Sequence, residues 1–380
     1  MKKHTRFIGL DVHAETIAVA VAEPDGTVRD LGVIPNRPES IRKLMRKLGP
    51  PDSLCACYEA GPCGYVLYWQ LVELGVHCDV VAPTLVPVRP GDRVKTDRRD
   101  ARKLARSYRS GDLTPVWVPD PSHEAMRDLV RARTAAKKDQ LRARHRLGKF
   151  LLRRGIRPPA ETRPWTVKHR AWLQTLRFEE RAHEAVLLDY VTEVDHAKDR
   201  IERLERAIDV AIETAPEVIR ALAAGLQVLR GIAKMSAVAI ATELGQLSRF
   251  EHPRQLMDYA GIVSSEDSSG ERTRRGPITK AGNSHLRRVV VEAAWAYKHK
   301  PHIGAELRKR QTGQSEVVKA ISWKAQHRLC YRYRFLLGKG KLKQKVVTAV
   351  GRELLGFIWA IGVQVEREKG ISVSDRRQAA

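Results

Sequence analysis

The amino-acid sequence predicts an α/β domain followed by two mainly helical regions, and three observations carry that reading. The chain opens with short apolar runs separated by turn residues. Long stretches without Pro or Gly follow, with apolar residues three and four positions apart. No internal repeat or long low-complexity segment interrupts either part. With 380 residues, 43% of them hydrophobic, the chain has material for two or three domains of about 150 residues each.

In the first part, Phe7–His13, Thr16–Ala22 and Thr27–Pro35 read as an antiparallel meander, its second turn built on Pro24-Asp25-Gly26. Glu39–Leu48 has helical spacing (Ile41, Leu44, Met45, Leu48) and stops at Gly49-Pro50-Pro51. Leu54–Glu59 reads as a strand, Tyr65–Leu74 as a helix ended by Gly75, Cys78–Ala82 as a strand, and Asp97–Tyr108 as a helix closing near Gly111. The order β-β-β-α-β-α-β-α is that of an RNase H-like fold, expected over residues 1–118.

Residues 119–215 read as a basic helical and coiled-coil region. From Arg127 to Lys149 the cations face only Glu124, Asp128 and Asp139 in the stretch His123–Leu152, with Val130, Leu141, Leu147, Phe150 and Leu151 as an apolar stripe. Such one-signed bias favours a surface that tracks a nucleic-acid backbone over a merely solvated face. After a linker marked by Pro158-Pro159 and Pro164-Trp165, Glu179–Ile212 places Leu187, Val191, Val194, Ile201, Ile208 and Ile212 near coiled-coil spacing. That pattern suits a dimer seam, an arm or an intramolecular helical hairpin. Residues 216–380 read as a mainly helical domain. Around Leu229-Arg230-Gly231-Ile232 a glycine turn between short helices has the form of a helix-hairpin-helix element, and ordinary helix packing is the competing reading. Between 298 and 345 Lys and Arg are interleaved with Trp323, Tyr331, Tyr333 and Phe335, just after Tyr297. Those rings could stack on bases or fill a helical core.

Charge narrows the function. Lys+Arg 69 against Asp+Glu 44 leave a formal charge of +25, an excess that a polyanion partner would offset. Nucleic acid leads and an anionic membrane surface comes second. No run approaches about 20 consecutive apolar residues, and no signal-peptide core follows the basic first residues, so no membrane role and a cytoplasmic location are expected. Cys55, Cys57, Cys63, Cys78 and Cys330 are odd in number and lack C-x-x-C spacing, which suits reduced thiols rather than a disulfide or zinc framework.

Two constellations carry chemistry. Two-metal phosphoryl transfer needs carboxylates converging from different elements around ions about 3.5–4 Å apart. Asp11 follows Ile8-Gly9-Leu10 on the first strand, Glu59 closes Leu54–Glu59 beside it, and Asp97 and Asp100 share one helix face in Lys95-Thr96-Asp97-Arg98-Arg99-Asp100-Ala101. Each acid alone could be structural, pairing with a buried Arg or lying at a helix N-terminus favoured by the dipole. Four acids at these places point to a metal site. The second constellation runs from Tyr259-Ala260-Gly261-Ile262 through Ser264-Ser265-Glu266-Asp267-Ser268-Ser269-Gly270-Glu271-Arg272 to Thr279-Lys280-Ala281-Gly282-Asn283 and Leu286-Arg287-Arg288. A serine among cations suits attack on a DNA phosphodiester, with the cations stabilising charge on phosphorus. Arg272, Arg275, Lys280 and Arg287 are the expected nucleic-acid contacts. No G-x-S-x-G elbow is present, which disfavours an esterase.

On these residues, FIGLDVH…YEAG…KTDRRDA and YAGI…SSGERTRRGPITKAGNSHLRR, nearly the whole chain resembles the insertion-sequence transposases with a RuvC-like DEDD domain and a separate serine domain, recombinases guided by a bridge or seeker RNA. The resemblance implies that Asp11, Glu59, Asp97 and Asp100 bind Mg²⁺. It also implies that Ser269 is the nucleophile, with Ser268 the competing assignment. On the same resemblance, double-stranded DNA is expected to be cut and rejoined through a phosphoserine without free double-strand ends. A non-coding guide RNA, dimers assembling to a tetramer, a site composed from two protomers and a prokaryotic, nucleoid-associated setting are implied as well. One departure is that the family usually has Pro near Ser264. The alternatives are a two-metal RuvC-like nuclease or resolvase with a non-catalytic serine loop, and a non-catalytic nucleic-acid-binding protein.

Overall fold

The computed structural model describes residues 5–87, 96–270 and 272–371. They fall into two compact units, one up to Pro119 and one from Asp120 onward. Lys95 and Glu271, members of the two motifs above, lie outside the described residues.

The first unit is built on strands β1 (Arg6–Val12), β2 (Thr16–Ala22), β3 (Val28–Pro35), β4 (Leu54–Glu59) and β5 (His77–Val81), with helices α1 (Pro38–Leu48), α2 (Val66–Glu73) and α3 (Asp97–Ser110). The sheet order is β3-β2-β1-β4-β5. β1–β2 and β2–β3 are antiparallel, while β1–β4 and β4–β5 are parallel. A mixed sheet in this order, followed by a helical C-terminal region, fits the RNase H-like architecture expected. Alternation along the strands makes the two faces different. Ile8, Leu10, Ile17, Val19 and Val21 pack with Ile41 and Leu44 of α1 and Leu67 and Leu71 of α2. The opposite face is small: Ala18, Ala20 and Ala22 meet Ala101 and Ala105 of α3.

Small residues let α3 lie almost on the sheet, and Gly9 sets the limit of that approach. A Cβ there would stand 2.3 Å from both the Ala101 carbonyl oxygen and the Ala105 nitrogen, backbone atoms that cannot yield. Gly9→Ala is therefore expected to destabilise the first unit by about 3 kcal/mol or more. Gly148→Ala, on a helix with nothing within 4 Å of the added Cβ, should be neutral or stabilising by up to about 1 kcal/mol. Urea unfolding of both variants decides, and equal midpoints would refute the close-approach account.

The second unit contains α4 (Pro121–Leu152), α5 (Val167–Thr175), α6 (Arg181–Thr214), α7 (Glu217–Leu226), α8 (Lys234–Leu244), α9 (Pro253–Tyr259), strands β6 (Ser264–Ser269) and β7 (Arg272–Ile278), then α10 (Ser284–Ala294), α11 (Ala305–Gln311), α12 (Glu316–Gly338) and α13 (Lys343–Glu368). α4 and α6 run antiparallel, fixed by the ion pairs Arg133–Glu205, Arg200–Asp139 and Arg146–Glu193. Leu187, Val194, Ile201 and Ile208, seven residues apart, are the buried positions of α6. Leu187 joins Leu147, Phe150 and Leu151 of α4, and Ile208 joins Met126 and Val130. Within the chain, α4 and α6 form the intramolecular helical hairpin that the spacing allows. Leu141, expected in the apolar stripe, is exposed, because the buried face of α4 passes through Thr134, Ala136, Gln140 and Ala143 instead.

Helices from the 119–215 stretch and from 216 onward share one core, in which Met126, Val130 and Ile208 lie with Leu222, Leu244, Leu286 and Leu354. α7 and α8 pack on each other across a turn holding Gly231 at φ +84°. α13 is long and apolar enough to cross a membrane by length and composition, but half of its apolar window is buried, with Val346, Val350, Leu354, Ile358 and Ile361 in the core. The buried Glu366 carboxylate accepts hydrogen bonds from the amides of Leu247 (2.5 Å) and Ser248 (2.9 Å), which ties down the segment after α8. All five cysteines are free thiols, and burial pushes Cys57 and Cys78 further from ionisation.

Candidate active site

The parallel register of β1 and β4 pairs Leu10 with Tyr58, so one step on Asp11 and Glu59 stand side by side at the strand ends, on the α3 face. Thr96 caps α3 by accepting from the Arg99 amide. The first turn of that helix holds Asp97 and Asp100, where the dipole favours negative charge. Oxygens of Asp11 and Asp97 and a ring nitrogen of His13 all lie within 4.8 Å of one another. Glu59 and Asp100 do not join that three-atom group.

His13 was missed by the carboxylate reading, although it stands two residues after Asp11 and so continues the same face of the strand. The turn fixes its backbone: its N–H donates to the Thr16 carbonyl (2.9 Å), and its carbonyl accepts from Asn36 Nδ2 (2.8 Å).

The serine segment, expected as a loop, is a hairpin. Antiparallel β6 and β7 set Ser269 opposite Arg272, Ser268 opposite Thr273 and Glu266 opposite Arg275. Gly270 sits at φ +58° at the tip of the hairpin, a left-handed conformation that glycine adopts without steric cost. Directly opposed residues share a side of the ribbon, so the Arg272 guanidinium and the Ser269 hydroxyl are presented together, both exposed. Ser268 Oγ donates to Glu266 Oε1 (2.9 Å). Among the described residues nothing hydrogen-bonds Ser269 Oγ.

The base of the hairpin is pinned by its glycine motifs. Gly261 (φ +63°) crosses the chain at Ala281, whose carbonyl oxygen would lie 1.9 Å from an added Cβ. The amides of Thr279, Lys280 and Asn283 donate to the carbonyls of Val263, Gly261 and Tyr259.

A family model described as "Transposase IS116/IS110/IS902 family" matches residues 223–308, and the model of the DEDD transposase domain of IS110 matches residues 8–154. The chain is 45% identical over 359 residues to y4qE of Sinorhizobium fredii (strain NBRC 101917 / NGR234), a transposase by name, covering 93% of this chain and 88% of the relative. It is 32% identical over 345 residues to the transposase for insertion sequence element IS1533 of Leptospira borgpetersenii, covering 89% of this chain and 99% of that one. The chain belongs to the IS110/IS116 transposase family. It is thus an enzyme that cuts and rejoins DNA, with a DEDD domain at its N-terminal end. The four acids lie in one matched segment and the serine hairpin in the other.

In this transposase the expected nucleic-acid contacts differ in their freedom. Arg272 and Lys280 are exposed, and Lys280 adopts φ +56° to make its turn. Arg275 faces Glu266 at 3.5 Å. Arg287 is half-buried and donates to the Ala260 carbonyl (2.7 Å), so it also braces the hairpin base. On α4, Arg131, Arg133, Arg142 and Arg146 are ion-paired within the unit, whereas Lys137, Lys138 and Lys149 are exposed. The basic surface is therefore narrower than the sequence suggests.

The transposase also holds its serine segment through a buried carboxylate that sequence reasoning passed over. Glu243 on α8 takes a bidentate pair from Arg131 (2.8 and 2.9 Å) and a bond from Asn283 Nδ2 (2.7 Å). Asn283 in turn caps α10 through the Leu286 amide. Burial by itself would raise the Glu243 carboxyl, but the Arg131 and Asn283 hydrogen bonds and the Arg131 and Arg127 charges hold it below the usual carboxylate range. A carboxyl lowered on folding stabilises above its unfolded value, and that stabilisation is lost as pH falls through the folded one. Glu243→Gln is expected to lower stability by about 1–3 kcal/mol at pH 7. The gap from the parent should shrink as pH drops below about 4. Denaturant midpoints across pH are the check, and a pH-independent gap would refute it.

Proposed function

We propose that this transposase is an RNA-guided recombinase that cuts and rejoins double-stranded DNA through a phosphoserine at Ser269, assisted by Mg²⁺ at the DEDD acids. The observation that carries the reading is the hairpin tip, where an exposed serine, its hydroxyl unengaged among the described residues, stands opposite an exposed arginine. Ser269 Oγ forms a bond to the scissile phosphorus, the bond from phosphorus to the leaving strand's sugar oxygen breaks, and the serine proton passes to that oxygen. Arg272 offsets the charge gathering on the phosphoryl oxygens. Attack by a sugar hydroxyl of the new partner strand reverses the step and frees the serine, so no strand end is released without a partner.

A divalent cation fits the donor set of Asp11, Asp97 and His13, which converges within 4.8 Å and includes an Asp11 oxygen shielded from solvent. Asp11, Glu59, Asp97 and Asp100 would hold it, with His13 beside them. When bound, the cation polarises a phosphoryl oxygen and neutralises charge. The formal charge of +25 suits two polyanions, a guide RNA and the DNA it selects. The protein is read as working on nucleoid DNA in a prokaryotic cytoplasm, as dimers that assemble to a tetramer. The test is a denaturant-stable protein–DNA adduct on element-end DNA. It should form only with the transcript of the element's non-coding end, and an adduct indifferent to that transcript would refute RNA guidance.

A further inference from the structure

The structure separates the aromatic residues of the basic C-terminal stretch into two groups. Tyr297 and Tyr333 are buried in the core. Trp323, Tyr331 and Phe335 are exposed by 41%, 57% and 39%, large rings that a soluble helix normally hides. With exposed His327 they stand four residues apart along α12, so they climb one side of the helix over about 18 Å. Trp323 and His327 are edge-to-face with ring centroids 4.4 Å apart, and Tyr331 and Phe335 are stacked at 5.9 Å. At about 100° per residue, Lys324, Arg328 and Arg334 fall in the same sector, opposite the buried one that holds Ser322, Gln326, Leu329 and Tyr333. Lys339 lies over the Phe335 ring at 4.7 Å. Glu353 pairs with Arg328 (2.8 Å) and Arg332 (3.0 Å), while Lys324, Arg334 and Lys339 have no ion pair among the described residues.

We propose that this ring ladder is a stacking surface for an unpaired stretch of the guide RNA. Rings interleaved with cations suit unpaired bases, because every base offers a flat face and every linkage a charge. Duplex DNA keeps its bases stacked inside and would use the cations but not the rings. RNA loops and bulges offer splayed bases. The assignment to RNA rests on the RNA-guided reading above, while the stacking chemistry rests on α12 alone.

The test measures binding of the full chain to oligo(U), oligo(dT) and a duplex DNA of equal length. Trp323→Ala/Tyr331→Ala/Phe335→Ala should bind oligo(U) at least tenfold more weakly, with duplex affinity within about twofold and an unchanged salt slope. Tyr331→Phe, which keeps the ring, should bind like the parent. Unchanged oligo(U) affinity in the triple variant overturns the proposal, as does an equal loss on duplex. Unchanged oligo(U) affinity with a dimer-to-monomer shift in sedimentation overturns it in favour of a second copy as the occupant. A tenfold greater loss on oligo(dT) than on oligo(U) overturns the assignment to RNA. If ladder-dependent oligo(U) binding holds while recombination proves independent of the element's transcript, the RNA-guided reading fails and the stacking surface stands.

Discussion

Ser269→Ala is expected to abolish the covalent protein–DNA adduct and to lower strand exchange by about 10³-fold or more, the scale at which losing a nucleophile registers. Ser268→Ala should keep adduct formation, because the Ser268 hydroxyl is already engaged by Glu266 at 2.9 Å and sits opposite Thr273 rather than an arginine. Arg272→Ala, which removes the cation opposite Ser269, should slow adduct formation by about 10²–10³-fold with DNA affinity little changed. Both serine variants should fold as the parent does, since the hairpin tip is exposed and its base is held by the Gly261–Ala281 crossing and by Asn283 on Glu243. Gel analysis of end-labelled DNA after denaturation reads all three variants. Adduct retained in Ser269→Ala and lost in Ser268→Ala would reverse the assignment. DNA cleavage by Ser269→Ala without any adduct would favour the two-metal nuclease.

What the sequence showed, and what it hid, follows from the range of the interactions involved. The strands of the first unit were legible within one or two residues, because alternation and turn residues are local signals. Their spatial order is not local: it is the order of an RNase H-like sheet that puts Asp11 and Glu59 on neighbouring strand ends. The approach of α3 was also written locally, in Gly9, Ala18, Ala20, Ala22, Ala101 and Ala105, though alanines read as filler until the Cβ distances at Gly9 are known. His13 was invisible because one histidine after a strand carries no pattern; only the fold brings Asp97 to it. The serine segment read as a loop since Ser, Asp and Gly are poor strand formers, and its ladder depends on cross-strand pairs such as Glu266 with Arg275. The hairpin of α4 and α6 could not be told from a dimer seam, because a seven-residue repeat says that a helix has a partner but not whose it is. Glu243 was hidden for the same reason: Arg131 and Asn283 come from remote parts of the chain.

Asp11→Asn is expected to remove divalent-cation binding at the strand ends and, with it, about 10²–10³-fold of recombination activity, several kcal/mol of charge stabilisation at the phosphate. The direction of the effect on DNA affinity makes the result diagnostic. Without metal, Asp11, Glu59, Asp97 and Asp100 set negative charge beside an incoming phosphate, so replacing one carboxylate by an amide should leave metal-free DNA binding unchanged or tighter. An active-site loss caused by misfolding would weaken binding instead. Cation binding can be read apart from activity, by calorimetry or by Mn²⁺ electron paramagnetic resonance. There His13→Ala should weaken Mn²⁺ more than Mg²⁺, because imidazole suits the softer ion and carboxylate and water suit the harder one. Asp97→Asn should behave as Asp11→Asn does, since the two carboxylates and His13 share one 4.8 Å cluster. Mn²⁺ binding in Asp11→Asn equal to the parent would place the cation elsewhere and leave the strand-end acids a structural role.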